Sequence, residues 1–317
     1  MPFMSHNIIV TGGAGFIGSH LVCALLSAGH RVVVLDDLST GKLTNLPVHP
    51  NCHFIEVDIV DELALARIFE SERPSLVYHE AAIASVQKSI HDPVRTSSVN
   101  DYGAKHIFEL AVHVGSEQVI FASSAAVYGE DERLPKLETF EPTPLSPYGV
   151  QKWQNEIDAV RLAKKGRTRF TALRYFNVYG PKQDPQSEYS GVISIFVDRI
   201  LQNKPITIFG NGEQTRDFVN IADVVQANMV VQELPSNVDI FNVGTAKKTS
   251  LIDLAKHLYS IENRIENIVF QPKREGDIRH SVADIGLLMS KTVYFPNVHI
   301  LQGLQTLVSA VKSQRNR

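Results

Sequence analysis

The feature that most constrains the fold is a glycine-rich loop close to the start of the chain. A short β-branched run at residues 7–11 leads directly into Gly12-Gly13-Ala14-Gly15-Phe16-Ile17-Gly18, and a helical pattern follows. Gly12 and Gly15 allow a tight turn and close approach of the backbone to a pyrophosphate, and Gly18 lets the helix pack closely on the strand. The order strand, loop, helix predicts a dinucleotide site of the Rossmann type, with the helix N-terminus facing the phosphates.

The next predicted strand ends in an acidic residue that bears on the choice of dinucleotide. Asp36 stands at the end of the run 31–36 and is followed by Asp37. A carboxylate at this position accepts hydrogen bonds from the adenosine ribose and repels a 2′-phosphate, which favours NAD over NADP. The alternative is a helix-capping aspartate in a surface turn. By the same logic Asp58, just after the third strand, reaches the adenine, unless it is a plain turn residue.

The first half of the chain alternates short apolar runs with amphipathic stretches, which predicts a parallel sheet with crossover helices on both faces. The predicted strands are 7–11, 31–36, 53–57, 75–79, 118–122 and 169–175, and the predicted helices are 16–28, 62–71, 93–114 and 147–165. After Tyr175 the rhythm breaks into a loop at 180–191, a helix at 192–202, a strand at 206–209 and a helix at 221–233. We predict an α/β protein with a Rossmann doubly wound parallel sheet at 1–176 and a smaller C-terminal α/β substrate-binding domain at 177–317. Residues 237–246 are expected to be able to return to the main sheet.

Composition excludes several classes of protein. Apolar residues make up 44% of the chain and charged residues 21%, near the globular average, and the formal net charge is −3 with no long basic run. The two cysteines, Cys23 and Cys52, indicate a reducing compartment. Residues 1–7 show no basic region followed by an apolar one, and no apolar run reaches the length of a membrane span. The histidines show no metal-ligand spacing, and His79 is expected to be a packed residue at a strand end. We expect a soluble cytoplasmic protein with no metal and no nucleic-acid or membrane partner.

A serine, a tyrosine and a lysine follow the dinucleotide loop in an order that indicates proton transfer. Tyr148 stands in the first turn of a helix that Ser146-Pro147 opens, and Lys152 lies on the same face four residues later. A nearby ammonium and the positive helix end both favour phenolate, which would make Tyr148 a proton acceptor despite its ordinary pKa of about 10. Ser123 and Ser124 end the preceding strand, where open α/β sheets place their ligands. The alternative is a surface tyrosine beside a snorkelling lysine.

Motifs along most of the chain resemble those of the extended short-chain dehydrogenase/reductase family, and within it the UDP-sugar 4-epimerases of the bacterial UDP-N-acetylglucosamine type. The matching segments are residues 11–18 (TGGAGFIG), 79–82 (HEAA), 123–129 (SSAAVYG), 146–152 (SPYGVQK), 173–181 (LRYFNVYGP), 210–218 (GNGEQTRDF) and 274–277 (REGD). The resemblance covers the chain to about residue 285.

The resemblance implies a cycle in which Tyr148 removes the proton of the C4 hydroxyl while a hydride passes from C4 to NAD. The 4-keto sugar then turns within the pocket and receives the hydride on its opposite face. Ser124 would polarise the C4 oxygen, with Ser123 as the alternative, and Lys152 would also bind the nicotinamide ribose. The cofactor site implied in this way comprises Gly12, Gly15, Phe16, Ile17, Gly18, Asp36, Asp37, Ser39, Thr40, Gly41, Asp58, Ile59, Ala81, Ala82, Asn100, Tyr148, Lys152 and Tyr175.

The resemblance also assigns a substrate site to the C-terminal part. Its residues are Asn177, Val192, Phe209, Arg216, Arg274, Asp277 and Ser281. The two arginines would hold the UDP diphosphate by charge-assisted bonds, unless they are solvated surface charges. Ser281 stands where glucose-restricted relatives carry a tyrosine. A small residue there leaves room for a 2-acetamido group, although Ser281 could merely start a strand. Near the end, residues 288–300 depart from the family pattern, which puts the packing of that segment in question.

Three other functions compete with 4-epimerisation. A 4,6-dehydratase needs a carboxylate pair at the end of the fifth strand, where this chain has Ala125-Ala126. A UDP-glucuronate-type decarboxylase or uronate 4-epimerase is excluded less firmly. A redox-sensing NAD-binding regulator would not need Ser124, Tyr148 and Lys152 together. The resemblance further implies a homodimer, with helices 93–114 and 147–165 forming an intermolecular four-helix bundle.

Overall fold

The main sheet is built from the short apolar runs of the first half of the chain. The computed structural model describes residues 6–129, 131–184, 191–232, 234–273 and 278–315. The strands are β1 (Asn7–Thr11), β2 (Arg31–Asp36), β3 (Cys52–Glu56), β4 (Leu76–His79), β5 (Gln118–Ser124), β6 (Arg169–Tyr175), β7 (Asn177–Tyr179), β8 (Ile206–Phe209), β9 (Thr215–Arg216), β10 (Phe218–Asn220), β11 (Val238–Val243), β12 (Thr249–Ser250) and β13 (Ile268–Gln271). Seven of them form one sheet in the order β11-β6-β5-β4-β1-β2-β3.

Helices cover this sheet and build the second half of the chain. They are α1 (Phe16–Ser27), α2 (Glu62–Glu72), α3 (Val86–His91), α4 (Pro93–Ser97), α5 (Ala104–Val114), α6 (Pro147–Ala163), α7 (Val192–Leu201), α8 (Ile221–Val230), α9 (Leu251–Ile261), α10 (Gly286–Lys291) and α11 (Ile300–Arg315). The predicted Rossmann-type parallel sheet is confirmed: β1 pairs in parallel with β2 and β4, and the pairs β2–β3 and β4–β5 are also parallel. The central strands β1 and β2 are buried almost throughout because helices lie on both faces.

The sequence boundaries of most of these elements agree with the structure to within about two residues, as helix and strand ends usually do. The predicted helix 93–114 differs, because it is interrupted. Its middle, Ser98–Gly103, is a π-helix between α4 and α5. The side chain of Asn100 in this π-turn accepts a hydrogen bond from the backbone of Ile83 at 2.8 Å and donates one back at 3.1 Å. A single-turn π-bulge of this kind is frequent at functional sites.

Two compact units divide the described residues. The first lies within Met1–Gly129, Pro142–Arg174 and Val225–Phe241, and the second within Glu130–Glu141, Tyr175–Val224 and Asn242–Arg317. The predicted division after residue 176 places two of these segments differently. Residues near 136 join the second unit because Lys136 donates its backbone N–H to Val282 and accepts from the backbone of Asp284. The segment near 240, which was expected to be able to return to the main sheet, forms β11 beside β6.

The second unit has its own core, in which α7, α9 and α11 pack around β8 and β10. Its strands form two-stranded pairs, β7 with β10, β8 with β13 and β9 with β12, and most of them were too short to predict. The atypical segment near 288–300 is anchored by Tyr294, whose buried hydroxyl donates to the backbone oxygen of Gly244 at 2.9 Å.

Residue 233, at the predicted end of α8, and residues 185–190 of the predicted loop lie outside the described residues. No helix in the described part of the chain is long and apolar enough to cross a membrane.

Candidate active site

The glycine loop has the geometry that a dinucleotide requires. Gly12 has a left-handed φ of +66°, and a Cβ there would meet the backbone nitrogen of Ala81 at 2.6 Å. A Cβ on Gly18 would collide with the backbone oxygen of Gly12, so this glycine permits the close helix–strand packing that its spacing predicts. At Gly15, the N-cap of α1, a Cβ would meet Gly12 alone among the described residues, and no side chain caps the helix. The open face at Gly15 and the uncapped helix start fit the pyrophosphate of NAD.

Asp36 lies beside this loop and binds it directly. One carboxylate oxygen accepts from the backbone N–H of Ala14 at 2.9 Å and the other from Leu38 at 2.9 Å. Burial raises the pKa of Asp36 above its ordinary value. The carboxylate therefore bridges the glycine loop and the turn after β2, in place of the helix cap considered as an alternative. A Cβ on residue 41 would come within 2.7 Å of this carboxylate, so a glycine at position 41 leaves room for Asp36.

A side chain that sequence reasoning missed joins the other two aspartates. Arg95, in α4, donates to a carboxylate oxygen of Asp58 at 2.7 Å, and the same nitrogen lies 3.9 Å from Asp37. Asp37 also accepts from the backbone and the hydroxyl of Ser39. Arg95 follows a proline in a helix start and carries no local signal that it meets residues 37 and 58 positions earlier. Asp37 and Asp58 thus belong to one ion-pair group at the edge of the sheet.

The remaining predicted cofactor residues are distributed around this edge. Phe16 and Ile17 are half-buried in the first turn of α1, Thr40 is exposed, Ile59 is buried, and Ala81 and Ala82 are half-buried directly after β4. Tyr175, the last residue of β6, is buried and belongs to the second unit. Asn100 is buried, and its amide bonds to Ile83 are joined by a third, to the side chain of Gln151 at 2.8 Å. Its amide therefore fixes the loop after β4 against the helix that carries Lys152.

The structure brings Ser124, Tyr148 and Lys152 together. Ser146 caps α6 by accepting from the backbone of Gly149 at 3.1 Å, which sets Tyr148 in the first turn as predicted. A side-chain hydrogen bond joins Tyr148 to Ser124, and the Ser124 hydroxyl also accepts from the backbone of Ala126 at 3.1 Å. Lys152 is almost fully buried, with its ammonium 5.9 Å from the centre of the Tyr148 ring.

Ser123, the alternative to Ser124, has a different partner. Its hydroxyl donates to Glu156 at 2.6 Å, and the same carboxylate is paired with the buried guanidinium of Arg174 at 2.7 Å. The alternate strand positions point the two hydroxyls to opposite faces of the sheet. Ser123 therefore belongs to a buried ion-pair network, and Ser124 is the serine that contacts Tyr148.

Burial acts against the predicted phenolate form of Tyr148. Burial of the hydroxyl raises this pKa to about 12, and Glu80 adds to the rise while the bond from Ser124 opposes it. Burial also lowers the pKa of Lys152 to about 8. Both shifts arise because burial disfavours the charged form of each side chain. Glu80, half-buried at the end of β4, was not among the predicted residues.

His79 is a packed strand-end residue, as expected. Its Nδ1 lies 2.8 Å from the hydroxyl of Thr11, and its ring meets Phe108 edge-on. Burial first, and then the charge of Lys152, lower the pKa of His79 to about 3, so the imidazole is neutral at physiological pH.

In the second unit, one predicted substrate residue lines a cavity of about 280 Å³. The cavity is lined by Phe209, Gly210, Asn211, Gln214, Lys273 and Arg279, of which only Phe209 was predicted. Arg216 lies on the neighbouring β9 and donates to the backbone oxygens of Thr215 at 2.9 Å and Arg279 at 3.4 Å. Two cationic side chains at a cavity, Lys273 and Arg279, suit an anionic ligand.

The other predicted substrate residues are placed as follows. Ser281 is half-buried, and its backbone N–H donates to Thr215 at 3.1 Å, so it flanks β9 within an extended segment. Asn177 is exposed at the start of β7, and Val192 is half-buried at the start of α7. Arg274 and Asp277 lie outside the described residues.

A family model, a sequence relative and a solved structure each match this chain over most of its length. The model of the NAD dependent epimerase/dehydratase family matches residues 8–244. The UDP-glucose 4-epimerase of Mycolicibacterium smegmatis is 34% identical over 310 residues, which cover 96% of this chain and 98% of the relative. A crystal structure of UDP-glucose 4-epimerase with UDP-glucose from Thermotoga maritima superposes with a TM-score of 0.93 at 40% identity, covering 97% of this chain and 99% of that one.

A second solved structure is about equally similar. The UDP-N-acetylglucosamine 4-epimerase of Methanobrevibacter ruminantium, in complex with UDP-N-acetylmuramic acid, has a TM-score of 0.93 at 35% identity over 98% of this chain and 99% of that one. The match to the family model extends from β1 through β11 and so includes the glycine loop, Ser124 and Tyr148. The chain therefore belongs to the NAD dependent epimerase/dehydratase family, and its cofactor is NAD.

Proposed function

We propose that this protein is a UDP-sugar 4-epimerase that interconverts UDP-GlcNAc and UDP-GalNAc, and also UDP-Glc and UDP-Gal, through transient oxidation at C4. The observation that carries the proposal is the hydrogen bond between Ser124 and Tyr148 beside the buried Lys152. This group offers a proton acceptor, a hydroxyl donor and a cation within one unit that also contains the dinucleotide loop. The similarity to 4-epimerases over nearly the whole chain supports the same reaction.

In the proposed reaction, Tyr148 accepts the proton of the C4 hydroxyl and later returns it, so the net change is inversion at C4. When bound, NAD supplies the hydride acceptor and donor. Ser124 donates to the C4 oxygen and holds it beside Tyr148. Because Tyr148 has a raised pKa in the protein alone, its deprotonation depends on positive charge near the hydroxyl. Lys152 contributes that charge as long as it remains protonated.

The end of β5 argues against elimination chemistry. The turn Ala125–Tyr128 follows Ser124 as one turn of 3₁₀ helix, and its first two residues are alanines. A dehydratase needs carboxyl groups at this place to protonate and remove the hydroxyl at C6. Methyl groups cannot exchange a proton, so the site supports oxidation and return of the hydride at C4 without loss of water.

The substrate is proposed from the second unit. The cavity beside Phe209 combines an aromatic ring, amide groups and two cations, which suits a nucleotide with a diphosphate. Arg216, beside it, would bind the diphosphate, together with Arg274. Ser281 would stand near C2 of the sugar, where its small side chain leaves room for an acetamido group. The complex of the Methanobrevibacter ruminantium relative with an N-acetylated UDP-sugar supports this choice.

The exposed face of α6 supports the proposed homodimer. Val150, Ile157 and Val160 are exposed by 48%, 42% and 38%, and their spacing places them on one side of the helix. Tyr102, in the preceding π-turn, is 71% exposed. We expect a dimer in sedimentation equilibrium and a monomer for the variant Ile157→Glu, since a buried charge would cost more than the apolar contact contributes. A wild-type protein that sediments as a monomer would contradict the assignment.

The deciding experiment uses the purified protein without added NAD. It is incubated separately with UDP-GlcNAc, UDP-Glc and UDP-glucuronate, and the products are resolved by NMR. We expect inversion at C4 of the two neutral sugars, fastest or equal on UDP-GlcNAc. Release of carbon dioxide or inversion confined to UDP-glucuronate would assign the decarboxylase or uronate epimerase function, and no inversion on any UDP-hexose would reject the proposal.

A further inference from the structure

A buried carboxylate in the second unit has no role in the reaction proposed above. Asp217 stands between β9 and β10, and its relative exposure is 0%. One oxygen accepts from the backbone N–H of Thr245 at 2.8 Å and from its hydroxyl at 2.6 Å. The other accepts from the backbone of Ala246 at 3.0 Å and of Ala283 at 3.2 Å. Four donors from two separate segments therefore converge on one side chain.

These bonds offset a considerable cost of burial. Burial alone raises the pKa of Asp217, and each of the donors opposes the rise by stabilising the charged form. A close approach of the backbone makes the arrangement possible, because a Cβ on Gly244 would lie 2.7 Å from the carboxylate. Residue 244 must accordingly be a glycine, and the chain around it is shaped to receive Asp217. Such a group rigidifies its surroundings when every partner is satisfied.

The segments that Asp217 joins carry the proposed substrate contacts. Arg216 immediately precedes it, and Ser281 lies two residues before Ala283. Between them, Thr215 donates its backbone N–H to Arg279 at 3.0 Å and accepts from Ser281 at 3.1 Å. The backbone oxygen of Asp217 also accepts from Asn177 at 3.0 Å. The carboxylate thus holds the segment of Ser281 in register with the strand of Arg216.

We propose that Asp217 is a positioning residue for substrate selection, which fixes the diphosphate-binding Arg216 and the C2-facing Ser281 at a set separation. The inference rests on the proposed function. It implies that loosening Asp217 weakens binding of the uridine nucleotide and reduces the discrimination at C2, while NAD binding and the proton transfer at Tyr148 continue in the first unit.

The test compares Asp217→Asn with a matched control, Asp223→Asn. Asparagine keeps the shape of the side chain but turns an NH₂ group toward N–H donors, so bonds are lost and donors face each other. Asp223 is also buried in the second unit, and it accepts from the backbone of Asn297 at 2.9 Å and Val298 at 3.3 Å, away from β9. Both variants should lose thermal stability for the same reason.

The two variants should differ in ligand binding. For Asp217→Asn we expect the calorimetric Kd for UDP and the KM for UDP-GlcNAc to rise about tenfold, a change worth about 1.4 kcal/mol. Its NAD content and kcat should stay within about threefold of wild type, as one expects when uniform binding is lost. The ratio of kcat/KM for UDP-GlcNAc to kcat/KM for UDP-Glc should also change, because discrimination at C2 is reduced. Asp223→Asn should keep the wild-type Kd, KM and ratio.

If Asp217→Asn binds UDP as well as Asp223→Asn does, the positioning role is wrong. A wild-type protein that does not bind UDP would instead overturn the proposed function, so the two failures are distinct. Should Asp217→Asn not fold, Thr245→Val decides, because it removes a single donor hydroxyl at 2.6 Å and keeps the backbone bonds to Asp217. We expect its Kd for UDP to rise about threefold, and an unchanged Kd would reject the inference.

Discussion

The ammonium of Lys152 donates a hydrogen bond to the backbone oxygen of Ala122 at 2.9 Å, and it lies 5.9 Å from the ring centre of Tyr148. Lys152 is thus fixed to the end of β5 and acts on Tyr148 through its charge. Burial lowers the pKa of Lys152 to about 8 and raises that of Tyr148 to about 12. The charge on Lys152 is therefore held at a cost in folding stability.

Replacing Lys152 by methionine should change how the free energy of unfolding depends on pH, because the variant lacks the buried charge. The folded-state pKa of about 8 lies below the ordinary value of 10.5, so between these values the unfolded state binds more protons and wild-type stability rises with pH. Lys152→Met removes this rise. The stability of the variant relative to wild type should fall between pH 8 and 10 by up to about 1.4 kcal/mol per pH unit. Urea titrations of both proteins at three pH values measure this difference in the free energy of unfolding. Parallel curves of stability against pH would contradict a buried charge on Lys152.

Tyr148→Phe should abolish turnover and leave UDP binding intact. The phenyl ring preserves packing but can neither accept nor return the C4 proton, and loss of a general base costs about 10²- to 10⁴-fold in rate. Calorimetry with UDP and an NMR assay of C4 inversion give the two readouts. Activity within tenfold of wild type would remove Tyr148 from the role of base.

The two serines at the end of β5 should separate catalysis from stability. Ser124→Ala should lower kcat about 10²-fold or more with little change in the free energy of unfolding, because its hydroxyl contacts Tyr148. Ser123→Ala should keep kcat within about threefold but lose about 1–3 kcal/mol of stability, since it leaves the buried Glu156 with one donor fewer. Matched kcat measurements and denaturant curves test both. The reverse result would assign the catalytic role to Ser123.

His79 should contribute to the loss of stability in acid. Its folded-state pKa is about 3 and its ordinary value 6.5, so between these values the unfolded state binds the extra proton and stability falls as the pH is lowered. His79→Asn should be less stable at pH 7, because it loses the contact with Phe108. Between pH 6 and 4 its stability curve should be shallower by up to about 1.4 kcal/mol per pH unit. Equal slopes for the two proteins would show that His79 does not account for the loss of stability between pH 6 and 4.

Local patterns were sufficient to predict the main sheet and the catalytic helix. The apolar strands 31–36 and 169–175 and the Ser146 cap that precedes Tyr148 are encoded over a few residues, and the structure reproduces them. The π-turn around Asn100 was missed because its cause is a bond to Ile83, distant in sequence. Arg95 and Glu80 were missed for the same reason, since they interact with Asp58 and Lys152, which are distant from them in sequence.

The pKa of Tyr148 shows the other limit of sequence reasoning. The spacing of Tyr148 and Lys152 correctly placed the two side chains near each other, but their charges depend on burial, which no spacing reports. The short pairs β7–β10 and β9–β12 likewise have too few residues for a periodic pattern. They nevertheless position Arg216 and Ser281, so the proposed substrate site depends on the part of the fold that is hardest to predict.

Ser281→Tyr should suppress the N-acetylated substrates selectively. Ser281 is half-buried in the segment that pairs with Thr215, so a tyrosine there would add a ring beside β9. If the side chain faces C2 of the sugar, the ring occupies the space of the acetamido group and leaves a plain hydroxyl room. We expect kcat/KM for UDP-GlcNAc to fall by about 10²-fold and that for UDP-Glc to stay within about threefold, because a steric clash penalises only the larger group. Ser281→Ala, which keeps the small size, should retain both activities. Equal losses on UDP-Glc and UDP-GlcNAc would show that Ser281 does not select at C2, and the acetamido group would then have to be accommodated elsewhere.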